Sequence, residues 1–177
     1  MNTKKLNDLA HTIINYSLKL KENSKVQVTF TVEATPLVEE LIKEAQKVGA
    51  VMVLDPYVPK LNARLAEHNT NARLDLLKKH KEFNVNNYDA FVMIRTGFND
   101  YESMNVPKEM TRKYGAMTQE IDDIRINERE WVLLNYPTDL DAYKAKMKYD
   151  DFYNFSMDVM NVDYESLNDI TKEKASN

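Results

Sequence analysis

Cysteine is absent from this 177-residue chain. Its absence removes disulfides, thiolate zinc sites and cysteine nucleophiles together. Glycine occurs three times, at Gly49, Gly97 and Gly115, far apart in sequence. A dinucleotide or P-loop site needs clustered glycines that let backbone N–H groups approach a phosphate at a helix N-terminus. The first strand–helix turn, Val32-Glu33-Ala34-Thr35-Pro36, has none, and Glu33 would repel the phosphate. Histidine is equally scarce: His11, His68 and His80 include no pair at the HExxH spacing of a zincin helix. Nothing resembles the nucleophile elbow of a Ser-His-Asp hydrolase. There is no excess of positive charge, since 24 Lys and Arg face 28 Asp and Glu for a net −4, which excludes a nucleic-acid footprint. No apolar run approaches the ~20 residues of a membrane helix. The start, Met1 to Leu9, lacks the apolar core of a signal peptide. A cytoplasmic protein without membrane or nucleic-acid partners is expected.

What is present is ordinary for a globular domain: 43% hydrophobic and 29% charged residues, enough to bury a sizeable core. Leu6, Leu9, Ile13, Ile14 and Leu20 recur with helical period. Val26, Val28, Phe30 and Val32 then alternate as in a strand. Thr35-Pro36 reads as a helix start, with Leu37, Val38, Leu41, Ile42 and Ala45 inward and Gly49 at the C-terminal cap. Val51 to Leu54 reads as a strand buried on both faces, stopped by Pro56 and Pro59. Residues 60–83 read as a polar helix with Leu61, Leu65, Leu74 and Leu77 as its apolar positions. Ala90 to Ile94 is a third strand, ended by Arg95-Thr96-Gly97. Pro107 opens a long helix whose inner face holds Met110, Tyr114, Met117, Ile121 and Ile124. Trp131 to Leu134 is a fourth strand. Thr138 or Asp139 caps a short helix, and Asp150 caps another bearing Phe152, Phe155, Val159 and Met160, with Ser156 the polar residue on that stripe. A weak final helix begins near Glu165.

A helix followed by four strand–helix units implies an α/β fold. The expected form is a parallel sheet of about four strands with helices on both faces. This is a three-layer αβα, Rossmann-like topology without a nucleotide site. The strand order expected across the sheet is second, first, third, fourth.

Few groups suggest chemistry. Lys78-Lys79-His80-Lys81 reads as the solvated side of a helix, and Glu120, Asp122, Asp123 and Glu128 as an acidic face beside Arg125 and Arg129. Asp55 ends a strand in a Pro-stiffened turn and loosely suggests the phosphoacceptor of a response-regulator receiver. A receiver also needs an acidic pair after its first strand, where only Glu33 stands. Open parallel sheets bind ligands beyond the C-terminal strand ends, at the switch point. Glu33, Thr35, Arg95, Thr96 and Asn99 are the candidate ligand-facing residues there. A Glu33–Arg95 salt bridge would also account for two of them. No catalytic residue and no metal ligand is assigned.

The order of motifs resembles one family. Glu33-Ala34-Thr35-Pro36-Leu37-Val38, Tyr88 to Arg95, Phe98-Asn99-Asp100, Val106-Pro107, Trp131 to Thr138 and Asn161-Val162-Asp163-Tyr164 follow the sequence of parts in metal-dependent aminopeptidases of the aminopeptidase T and aminopeptidase S type. The resemblance spans nearly the whole chain. It implies that residues 1–165 are the family's N-terminal α/β domain and 166–177 a tail toward a catalytic domain beyond this chain. It implies that the parent enzyme removes N-terminal residues from peptides with two divalent metals, zinc, cobalt or similar, held in that C-terminal domain. A homodimer is a further implication. No position here matches the family's metal ligands. The competing expectation is a stand-alone ligand-binding or receiver-like regulatory domain.

Overall fold

The computed structural model describes residues 3–161. Helix α1 (Thr3–His11) widens into a π-helical turn at Thr12–Ser17. Strand β1 (Lys25–Phe30), α2 (Thr35–Lys47) and β2 (Val51–Pro56) follow. Two helices, α3 (Pro59–Glu67) and α4 (Asn71–Asn87), lead to β3 (Ala90–Thr96). Then come α5 (Lys108–Glu128), β4 (Glu130–Tyr136), α6 (Asp139–Lys144) and α7 (Tyr149–Met160). The four strands are parallel in the order β2-β1-β3-β4, as the sequence predicts. Gly49, at φ +71°, lies where only glycine turns without strain, just past the end of α2.

Direction of travel explains the layers. The chain steps one way from β1 to β2 and the opposite way from β2 to β3 and from β3 to β4. Right-handed crossovers then put α2 on one face of the sheet and α4 and α5 on the other. The main core lies on the α2 face. Val26 and Val28 of β1, Val92 and Ile94 of β3, and Tyr136 of β4 pack there with Leu37 and Leu41 of α2 and Leu9, Ile13 and Ile14 of the N-terminal helix. Register aligns them, since Val28 pairs with Leu54 on one side and Val92 on the other.

Two carboxylates lie in the seam between α1 and α2. The Glu40 and Glu44 side chains are buried, yet each keeps partners. Lys43 Nζ reaches Glu40 at 2.7 Å, Lys47 reaches Glu44, and Asn7 donates to both carboxylates at 3.4 Å. His11 Nδ1 stands 3.3 Å from Glu44. The hydrogen bonds from Lys43 and Lys47 outweigh burial and hold both carboxyls below their ordinary range.

The structure corrects three expectations. Val51, Val53 and Leu54 are exposed rather than buried on both faces, because β2 is an edge strand and only Met52 packs against the core. An all-apolar run fits either position equally well. The single helix expected over 60–83 is two, broken before the Thr70 cap, whose hydroxyl accepts from the Arg73 N–H at 3.2 Å. Leu61 and Leu65 of α3 point to solvent, and only Leu74 of the expected positions is fully buried. On α7 the buried face is Tyr153 and Met157, while Phe155 and Val159 are exposed. Both stripes have helical spacing, and contact with α1 selects between them. Lys5 Nζ pairs with Asp158 at 2.6 Å, and the Asn161 amide donates to the Lys5 carbonyl at 3.0 Å. The final helix near Glu165 and the boundary at 165/166 lie outside the described residues.

Candidate functional site

The switch point lies between β1 and β3, whose onward connections leave in opposite directions. A cavity of about 370 Å³ opens at the C-terminal ends of these two strands. Its walls are Thr29 and Thr31 from β1 and its exit, Met93, Ile94, Arg95 and Thr96 from β3, Tyr57 and Pro59 after β2, and Phe98. The lining is mainly apolar, with hydroxyls and one guanidinium as its polar groups. The Thr31 and Thr96 hydroxyls share one hydrogen bond at 2.9 Å. Thr29 Oγ1 donates to Asp55 Oδ2 at 3.3 Å, and the Gln27 amide donates to the same oxygen at 3.1 Å. Asp55 is therefore a tethered carboxylate on the edge strand.

The five candidates do not gather at one place. Arg95 and Thr96 line the cavity. Glu33 and Thr35 stand in the turn after β1 without lining it. The Thr35 hydroxyl donates to the Val32 carbonyl at 2.6 Å and locks that turn. Among the described residues no ion pair joins Glu33 to Arg95. Asn99 accepts from the Tyr101 N–H at 3.3 Å, capping a 3-10 turn at Asp100–Ser103. It faces a separate hollow with Arg64, Glu67 and Glu102. Sequence reasoning missed Thr29, Thr31 and Tyr57. The signal for the first two was available: alternate hydroxyl residues at the C-terminal end of the first strand.

A second hollow, about 380 Å³, adjoins the first beyond β3 and β4. Gly97, Asn135, Asp141, Lys144, Phe152 and Ser156 are among its walls. Thr138 and Asp141 form a capping box at the start of α6. The box also holds the β3 exit, because the Gly97 N–H donates to Asp141 Oδ2 at 3.3 Å. A β-carbon on Gly97 would stand 2.5 Å from Asp141 Oδ1 and 2.7 Å from Thr138 Oγ1. Gly97→Ala must push those side chains off their partners. It is expected to cost about 1–2 kcal/mol, the range of a lost N-cap. Urea denaturation checks this, together with Thr138→Ala. The double variant should cost little more than either single one, since both remove the same cap.

The acidic group on α5 is committed elsewhere. Asp122 pairs with Lys81 at 2.5 Å and lies 3.6 Å from Arg125. The Arg125 guanidinium lies 5.8 Å from the centre of the Trp131 ring. Among the described residues no three His, Asp or Glu side chains come together so as to hold a metal ion. No described helix is long and apolar enough to cross a membrane.

Comparison with known proteins assigns the chain. No curated protein matches it. Among solved structures it is similar to wild-type AmpT from Thermus thermophilus, at 14% identity and a TM-score of 0.66, over 91% of this chain and 43% of that one. That likeness supports the three-layer α/β fold. The chain therefore spans less than half the length of this structural relative. The sequence model of the thermophilic metalloproteases (M29) matches residues 2–172. With nearly every residue inside that match, the chain belongs to the thermophilic metalloprotease (M29) family.

Proposed function

We propose that this chain is the N-terminal, non-catalytic domain of a metal-dependent aminopeptidase. Residues 1–165 would form the domain and 166–177 the tail that leads to the catalytic half. The carrying observation is the family match over residues 2–172 by a chain with no three-donor metal group among its described residues. The described side chains do not fit the family's metals, so no catalytic step is routed through this domain. In the parent enzyme two divalent ions, zinc, cobalt or similar, would activate a water for hydrolysis of the N-terminal peptide bond. Those ions would be bound in the C-terminal domain.

In this reading the domain supplies scaffold and one wall of the cleft. Of the five candidates, Arg95 and Thr96, which line the cavity, face the peptide. The protein works in the cytoplasm, and a homodimer is the proposed assembly. The test is hydrolysis of amino-acid anilides by the purified 177-residue chain with cobalt or zinc added. No turnover above buffer is expected, and clear turnover overturns the non-catalytic role. Phosphorylation of Asp55 by acetyl phosphate would favour a receiver-like regulator instead. The tethering of Asp55 by Gln27 and Thr29 argues against that outcome.

A further inference from the structure

We propose that the cavity between β1 and β3 binds the C-terminal carboxylate of a short peptide, with Arg95 as its anchor. The identity of the ligand as a peptide rests on the aminopeptidase reading; the preference for a carboxylate rests on the cavity itself. Arg95 is the one cation among the lining residues, and none of the ion pairs among the described residues includes it. A guanidinium stays charged at any working pH and offers a planar fork that matches a carboxylate through two parallel bonds. The hydroxyl pair adds a donor. Thr31 and Thr96 share a single hydrogen bond, so one of their two protons is free to point at a ligand oxygen. Thr29 is already committed to Asp55.

The remaining walls suit an apolar side chain beside that carboxylate. Tyr57, Pro59, Met93, Ile94 and Phe98 make up most of the lining. The volume is at the small end of ligand sites, about 300–1,000 Å³, and suits one residue rather than a long segment. A phosphate group fits less well. It would find one cation, no glycine-rich backbone cradle, and Glu33 in the neighbouring turn. In a short peptide the amino end goes to the catalytic half, which leaves the carboxylate end free to reach the other wall of the cleft. Such a contact would make the domain a gauge of peptide length.

The test uses the full 177-residue chain with two probes, N-acetyl-leucine and N-acetyl-leucinamide, followed by amide chemical shifts in NMR. Neither probe has a free N-terminus, so neither depends on hydrolysis. The acid should shift Thr31, Arg95 and Thr96 and bind about tenfold more tightly than the amide, the usual scale for one charge-assisted contact. Arg95→Gln should remove that tenfold difference by weakening the acid more than the amide. Arg95 is exposed, so an unchanged circular dichroism spectrum is expected for the variant. Equal binding of acid and amide, an unaltered preference in Arg95→Gln, or no shifts at millimolar probe would each overturn the proposal. Anilide turnover by the chain would overturn the domain reading alone and leave the pocket result standing.

Discussion

Leu41→Ala is expected to lower the unfolding free energy by about 3 kcal/mol, while Leu61→Ala changes it by less than about 0.5 kcal/mol. Both leucines sit on helices at positions that sequence periodicity assigns to an apolar face. Their surroundings differ. Leu41 is 0% exposed, in the cluster of Val26, Val28 and Leu37 that joins α2 to the sheet. Removing its branched end takes contacts from several elements at once and leaves a void that rigid strands cannot close. Leu61 is 58% exposed on α3, so truncation loses little that the unfolded chain does not also lack. Urea denaturation of both variants, with equal slopes, decides the matter. Comparable losses would mean that α3 is covered in solution and that the packing described above is wrong at that edge.

That contrast marks the limit of what sequence alone conveys. Periodicity is local, and it locates the four strands and nearly every helix among the described residues, because pleat and helix repeat are set by neighbours in the chain. The strand order is not local in this sense: right-handed crossovers allow β2-β1-β3-β4 among other orders, and pairing across the sheet selects it. Whether an apolar residue is covered is a different question. Val51 and Val92 have the same character, yet Val51 lies on an edge strand and Val92 lies between two strands. The switch-point rule led to Arg95 and Thr96 because it concerns strand ends alone. The same rule puts Glu33, Thr35 and Asn99 beside them, just past the ends of β1 and β3, and for Thr35 and Asn99 local hydrogen bonding decides otherwise. Thr35 turns back to Val32, and Asn99 caps its own turn. Short polar side chains in turns are drawn to nearby backbone groups, and that competition is invisible to a rule about strand ends.

Met157→Ala should cost about 2–4 kcal/mol, and Phe155→Ala less than about 0.5 kcal/mol, measured on this chain without any partner. The pair tests where α7 docks. Met157 is 0% exposed and belongs to the main core with Tyr153, whereas Phe155 is 59% exposed. Tyr153 meets the Tyr136 ring edge-on, with centroids 6.2 Å apart, which fastens α7 to the end of β4. Burial, reinforced by the adjacent tyrosine, pushes the Tyr136 hydroxyl well above its ordinary range, so this contact carries no charge at working pH. The ion pair from Lys5 to Asp158 is half exposed and adds little by comparison. Were Phe155→Ala the more damaging change, α7 would dock through its other stripe. The result bears on the site as well as on stability. The face of α7 next to the buried one, about 100° round the helix, carries Phe152 and Ser156 into the hollow beside Gly97 and Asp141. A helix fixed by Tyr153 and Met157 gives that hollow a rigid wall before any second domain is present. A helix that docks only in the parent enzyme would leave the hollow open here, and the Met157 variant would then unfold no more easily than the native chain.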